Sequence, residues 1–364
     1  MSNFKVIHII HSLAPGGAEN LVRLLANHQA IEQGYDVEVI TVGSPVNLNS
    51  SHYAREFSAD LRTAGVRWQY VRLPKNIQGA LIQLRPRLSF NDRTVIHCHI
   101  FRGLPALWTV SQHEAAVVYT HHNSKYPVPS CIVYKVANSC ADAFVSVCQK
   151  TQLDAENKFK GPSCVIPNGI DCARYRSRPS DQAPARPIRL VNIGSLTKQK
   201  NHFRSLEMMR ELGEGYQLDI FGEGPLENAL KATVDRFGLR NIHFKGLSSR
   251  LNAELSDYDV MVQTSDWEGM PLSLLEGHAA GLPIVATNVG DTGRIVVDQL
   301  TGFLVPEDAA PQVLANRIRR AANAEAYEQL SRAAKQRATQ FDIEKTASAY
   351  SELYKQTAAE KRSY

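Results

Sequence analysis

The chain has 364 residues, 43% hydrophobic and 21% charged, with a formal net charge of +5. That length exceeds one ordinary core and fits two globular domains. No apolar run approaches the roughly 20 residues of a membrane span, and the opening Met1-Ser2-Asn3-Phe4-Lys5-Val6-Ile7 enters a strand instead of reading as a signal peptide.

Strands and helices alternate from the start. Val6 to Ile10 reads as a buried parallel strand, Ala18 to Ala30 as a helix and Asp36 to Val42 as the next strand. Further strands are expected at 94–98, 116–120, 143–147 and 164–167. The polar, Pro-rich stretch 177–187 reads as a linker. A second series follows at 188–193, 217–221, 242–244, 260–263, 283–286 and 302–305, with a helical tail from about Pro311. The fold class is α/β: two Rossmann-like parallel-sheet domains facing a cleft, with ligands expected beyond the carboxyl ends of the strands.

Charge is uneven along this frame. Residues 1–180 hold 19 Lys/Arg against 12 Asp/Glu, and residues 181–364 hold 22 against 24. Arg55, Arg62, Arg67, Arg72, Lys75, Arg85, Arg87 and Arg93 crowd one basic stretch. A basic front half suits an anionic partner such as a lipid surface or a diphosphate-linked acceptor, or is a solvated surface. No recognition motif accompanies the charge, so nucleic acid is not expected. The six cysteines (98, 131, 140, 148, 164, 172) show no C-x-x-C spacing and read as reduced, mostly buried thiols of a cytosolic protein.

The segment richest in chemistry is Ser265-Asp266-Trp267-Glu268-Gly269-Met270-Pro271-Leu272-Ser273-Leu274-Leu275-Glu276. Pro271 suits the first turn of a helix, where its missing N–H costs nothing. Backbone N–H groups of Gly269, Met270 and Leu272 would then form a helix N-terminus fit for phosphate. Glu268 lies beside that anion site and Glu276 inside the helix. Two carboxylates flanking a phosphate site suit a nucleotide-sugar, whose hydroxyls donate to carboxylates while its phosphates rest on amides.

Other turns point the same way. Gly16 and Gly17 precede the first helix and let backbone approach a phosphate. In Gly194-Ser195-Leu196-Thr197-Lys198-Gln199-Lys200, Lys198 and Lys200 compete to neutralise a diphosphate. His121 and His122 end a strand at the cleft-facing edge, where either can bond a sugar hydroxyl or transfer a proton. His97-Cys98-His99 resembles metal spacing but lacks further ligands, and no metal is expected there. Asp257-Tyr258-Asp259 stands at the amino end of a strand and reads as a loop or cap signal.

Glu268-Gly269-Met270-Pro271…Glu276-Gly277-His278-Ala279-Ala280-Gly281-Leu282-Pro283 resembles the E-x7-E signature of retaining GT-B glycosyltransferases of family 4. Gly16-Gly17-Ala18-Glu19, 166–171, 194–200, 221–225, 301–305 and the closing Tyr350 to Tyr354 pattern agree in order. The resemblance implies an acceptor-binding domain over 1–180, a donor-binding domain over 181–340 and a helix over 341–364 returning to the first. It implies that Glu276 binds the donor ribose and Glu268 the transferred sugar, and that the amides of Gly269 to Leu272, Lys200 and the Gly16-Gly17 loop hold the diphosphate. His122, or His121 beside it, matches a histidine that bonds the donor sugar, and backbone around Leu247 meets the base.

There are two departures: Ser195 stands where the family often has Arg, and Arg294 stands near a place that is often acidic.

The expected function is therefore retaining, metal-independent transfer of a hexose-type sugar from a nucleoside-diphosphate sugar. A UDP-sugar is the expected co-substrate and no further cofactor is needed. The implied acceptor is a polyisoprenoid-diphosphate-linked saccharide or a lipopolysaccharide (O-antigen) precursor. The expected location is cytoplasmic, peripheral on the inner face of the membrane through the basic first domain. The alternatives are a nucleotide-sugar epimerase of the same fold or a degenerate nucleotide-sugar-binding partner, the latter motivated by Ser195.

Overall fold

Apolar runs flanked by turn residues become the strands of two parallel sheets. The computed structural model describes residues 4–43, 52–72, 88, 90, 93–108, 115–126, 128–177 and 184–362. The chain divides into two units, one of Met1–Gly169 with Ile343–Tyr364 and one of Ile170–Asp342. The expected linker at 177–187 thus falls inside the second unit, and its residues 178–183 lie outside the described residues.

The first unit contains β1 (Lys5–Ile10), β2 (Asp36–Thr41), β3 (Arg67–Tyr70), β4 (Thr94–Cys98), β5 (Ala116–His121), β6 (Ala143–Ser146) and β7 (Ser163–Val165). They pair in parallel in the order β3-β2-β1-β4-β5-β6-β7. Every residue of β1 and β4 is buried, as expected of strands covered on both faces. The helices are α1 (Gly17–Ile31), α2 (His52–Thr63), α3 (Ser130–Cys140), α4 (Gln149–Lys158) and, from the far end of the chain, α10 (Ile343–Arg362).

Helix α10 packs on α1, β4 and β5. Its Tyr350 and Tyr354 are fully buried. The Tyr354 hydroxyl lies 2.6 Å from His97 Nδ1, and the Tyr350 hydroxyl 3.1 Å from Thr120 Oγ1.

The second unit contains β8 (Ile188–Ile193), β9 (Tyr216–Phe221), β10 (Ile242–Gly246), β11 (Val260–Gln263), β12 (Ile284–Thr287) and β13 (Gly302–Val305). Their order is β10-β9-β8-β11-β12-β13, again all parallel. The helices α5 (His202–Leu212), α6 (Glu227–Phe237), α7 (Leu272–Ala279), α8 (Pro311–Ala321) and α9 (Ala324–Ala338) accompany them.

In each sheet the strand order reverses beside the first strand, between β1 and β4 and between β8 and β11. Ligands of such sheets bind at that switch point, beyond the carboxyl ends of the strands.

Two expectations need correcting. β3 was not foreseen: Arg-Trp-Gln-Tyr is polar and half exposed because it forms the sheet edge. The cysteines are less buried than expected: Cys98, Cys140 and Cys148 are buried, Cys164 and Cys172 intermediate, and Cys131 exposed.

Candidate active site

In the second unit the switch point lies between the turn after β8, carrying Ser195 to Asn201, and the turn after β11, carrying Thr264 to Pro271. Hydrogen bonds fasten the two turns together. Asn201 adopts a left-handed backbone (φ 43°) and donates its side-chain amide to Asp266 Oδ1 at 2.8 Å. Asp266 N–H donates to Gln199 O at 2.8 Å, and Gln199 Nε2 donates to Trp267 O at 3.0 Å.

The two lysines of the first turn stand in different surroundings. Lys198 is exposed. Lys200 places its Nζ 2.6 Å from Glu268 Oε1. The Ser265 hydroxyl donates to the same oxygen at 2.6 Å, and Gln199 Nε2 approaches Oε2 at 3.4 Å. Glu268 is 4% exposed, so its charge is balanced inside the protein. Oε1 is well occupied, whereas Oε2 has one long contact among the described residues.

Pro271 needs correcting. It does not start the helix: it is the capping residue before α7, extended at ψ 117°. Its ring fixes φ, and no side chain caps this helix end. Met270 and Leu272 turn their side chains inward, at 3% and 5% exposure. These two side chains are therefore core and not ligand contacts.

Gly290 fixes the loop from the other side. Its φ is +56°, and a Cβ there would fall 2.2 Å from Glu268 O. Asp291 N–H donates to Gly269 O at 2.8 Å. Asp291, directly after that glycine, is a buried acid that the sequence reading overlooked, and it pairs with Arg294 at 3.0 Å.

Glu276 lies in α7, buried, where the Tyr175 hydroxyl donates to its Oε1 at 3.0 Å. Ser195 is exposed; its hydroxyl lies 3.3 Å from Thr197 Oγ1, and its carbonyl accepts from His202 Nε2 at 3.2 Å. Gly222, at φ +140°, lets its turn abut Gly194: a Cβ there would sit 2.0 Å from Gly194 O. Leu247, past the end of β10, is exposed. Asp259 serves the frame, accepting the Arg189 N–H at 2.7 Å, and Asp257 is exposed.

The first unit carries its own polar cluster at the β1/β4 switch point. Gly16 precedes α1 in an extended conformation and Gly17 begins the helix. The Glu19 carboxylate folds back over Gly16, and burial pushes its pKa up. β5 runs one residue further than expected, so His121 belongs to the strand. Its ring stacks on Tyr126 at 4.4 Å, and burial pulls its pKa down to about 4.

His122 turns the other way: its Nε2 lies 3.0 Å from His99 Nδ1. His99 Nε2 in turn lies 3.0 Å from His8 Nδ1. Burial lowers His122 to about 3 and His8 to about 4, and keeps His97 and His99 well below the usual imidazole value.

His8, His97 and His99 bring ring nitrogens within 4.8 Å of one another. All six nitrogens already have hydrogen-bonding partners, so an ion there would have to displace them.

Sequence reasoning missed His8, Gln29, Tyr175, Gln199 and Ser265. For His8 a signal existed: a titratable residue inside Val-Ile-His-Ile-Ile, which pairs in register with His97.

On the first sheet, the basic stretch is partly neutralised. Arg67 pairs with Asp36 at 2.8 Å, while Arg55, Arg62, Arg72 and Arg93 are exposed. Lys75, Arg85 and Arg87 lie outside the described residues. Among the described residues no helix is long and apolar enough to cross a membrane.

Two Rossmann-like units with polar switch points and a last helix belonging to the first define the GT-B class of glycosyltransferase. A family model described as glycosyl transferases group 1 matches residues 174–338, and one described as glycosyltransferase family 4 matches residues 15–174. The chain belongs to this family.

It is 32% identical over 163 residues to WcaL of Escherichia coli K12, a glycosyltransferase named for colanic acid biosynthesis; the match covers 41% of this chain and 39% of that one. It is 28% identical over 156 residues to the Escherichia coli UDP-Gal:alpha-D-GlcNAc-diphosphoundecaprenol alpha-1,3-galactosyltransferase, covering 39% and 40%. The chain thus spans about two fifths of the length of these relatives. Among solved structures, HepE of Anabaena, in complex with UDP and glucose, superposes with a TM-score of 0.80 at 17% identity, over 97% of this chain and all of that one.

Proposed function

We propose that the chain transfers a hexose-type sugar, with retention of configuration and without a metal ion or further cofactor, from a UDP-sugar to a polyisoprenoid-diphosphate-linked saccharide or a lipopolysaccharide precursor. The observation that carries this reading is the pairing of half-buried Lys200 with buried Glu268 at 2.6 Å, beside the start of α7, which no side chain caps. It sets a cation, a carboxylate and helix amides at one switch point.

In this reading Lys200 and the backbone of Gly269 to Leu272 stabilise the diphosphate as it leaves, and fixed charges in a dry site do most of the catalytic work. Glu268 receives a hydroxyl of the transferred sugar on Oε2. Glu276 receives the ribose hydroxyls, and the turn at Leu247 lies by the base. On the first unit, His122 and the Gly16-Gly17 turn meet substrate. In this reading no carboxylate acts as a nucleophile, and the leaving diphosphate helps to deprotonate the incoming hydroxyl. The lipid-linked acceptor agrees with the name of the galactosyltransferase relative. It also agrees with the exposed Arg55, Arg62 and Arg72, which suit peripheral contact with an anionic membrane surface.

The test is transfer from a panel of UDP-sugars to a synthetic polyisoprenoid-diphosphate saccharide, followed by NMR of the new anomeric centre. The expected product keeps the donor's configuration, forms in excess EDTA, and falls about a hundredfold or more in Lys200→Ala and Glu268→Ala proteins. An inverted product, dependence on a divalent ion, or undiminished transfer by both variants contradicts the corresponding part of the reading.

A further inference from the structure

His8, His97, His99 and His122 are more than a buried cluster, because three of them form a chain with a beginning and an end. Gln29, on α1 and fully buried, places Oε1 2.8 Å from His8 Nε2. His8 Nδ1 lies 3.0 Å from His99 Nε2, and His99 Nδ1 lies 3.0 Å from His122 Nε2. His122 Nδ1 is buried and has no hydrogen-bonding partner among the described residues.

A neutral imidazole carries one N–H, so the polarity of such a chain is set at one end. The Gln29 carbonyl only accepts. His8 must then carry its proton on Nε2, which leaves Nδ1 to accept from His99. His99 carries its proton on Nε2 and accepts from His122 on Nδ1. His122 is left protonated on Nε2 and bare on Nδ1.

Burial keeps all three rings of the chain neutral, which the one-proton rule requires.

We propose that Gln29, acting through His8 and His99, is a positioning residue that locks His122 as the Nε2–H tautomer and so presents Nδ1 as an acceptor for a hydroxyl of a sugar substrate. The tautomer assignment stands on the geometry of the first unit alone; the sugar contact rests on the proposed transferase reading. His122 then selects for a hydroxyl and against a carbonyl or ether oxygen at that point, since a bare nitrogen cannot donate.

The experiment is nitrogen NMR on protein carrying 15N-labelled histidine, with His122→Asn used for assignment. The free protein should show an imine-type Nδ1 and a pyrrole-type Nε2 at His122. Gln29→Met, which removes the acceptor, should move both toward intermediate values. A pyrrole-type Nδ1 at His122 in the free wild-type protein overturns the proposal, and this spectrum decides the matter even if the variant does not fold.

UDP, UDP-glucose, UDP-galactose, UDP-N-acetylglucosamine and GDP-mannose are then added in turn. A shift of the Nδ1 signal with at least one sugar nucleotide but not with UDP supports the sugar contact. No shift with any of them overturns that part while leaving the tautomer result standing. For a donor that is turned over, Gln29→Met should raise KM about three- to tenfold, the worth of one neutral hydrogen bond. Complete absence of transfer by the wild-type protein counts against the transferase reading and not against the relay.

Discussion

The Tyr175 hydroxyl donates to Glu276 Oε1 at 3.0 Å, tying a residue near the start of the second unit to the carboxylate inside α7. Glu276 is buried, and a hydrogen bond to a buried charge is worth about 1.5–3 kcal/mol. Tyr175→Phe should therefore lower the stability of the protein by roughly that amount, measured by urea unfolding, and weaken UDP binding measured by calorimetry. Unchanged stability and affinity would show that the bond is incidental.

Lys200 and Glu268 should behave as a unit. Removing one partner leaves the other charge partly buried and uncompensated; removing both does not. Lys200→Met and Glu268→Gln should each destabilise the protein, and the double variant should lose less than their sum. A coupling energy of about 1–3 kcal/mol is expected from a double-mutant cycle. Strict additivity would mean that the pair contributes nothing as a pair.

Gly290 has no tolerance for a side chain. A Cβ at its positive φ meets Glu268 O at 2.2 Å and Gly269 O at 2.6 Å, both backbone atoms. Gly290→Ala should displace the 268–269 turn and abolish sugar transfer. Circular dichroism should still report the parallel-sheet fold. Retained activity would show that the turn can yield.

Acid should unfold the protein steeply. Burial lowers His8, His121 and His202 to about 4 and His122 and His278 to about 3, all below their ordinary value. Between about pH 6.5 and 4 the unfolded chain binds protons that the native state refuses, so stability rises with pH across that window and is lost as pH falls. Each ring contributes about 1.4 kcal/mol per pH unit well inside it. Melting temperatures recorded from pH 7 to pH 4 should fall with a slope of several protons. A flat profile would mean that the rings are not held neutral.

Much of the frame was legible because buried parallel strands are nearly continuous apolar runs; Val6 to Ile10 and Val260 to Gln263 announce themselves. β3 did not, since an edge strand needs only one covered side and Arg67-Trp68-Gln69-Tyr70 carries no such run. Glu268 and Glu276 were legible from their spacing about Gly269 and Pro271. That Lys200 and not Lys198 pairs with Glu268 was not, because it depends on the left-handed turn at Asn201 and its bond to Asp266. The histidine chain was illegible for a different reason: it joins residues on α1, β1 and the ends of β4 and β5, and only strand register brings them together.

The returning helix α10 has a consequence for the order in which the protein is made. His97 finds its phenol partner, and Thr120 one of its own, only on Tyr354 and Tyr350. As the polypeptide emerges, the whole of Ile170–Asp342 is synthesised before those two tyrosines exist. The later unit can complete its interior first, while the earlier one must wait, with part of its β4 and β5 surface uncovered, for the final stretch to arrive.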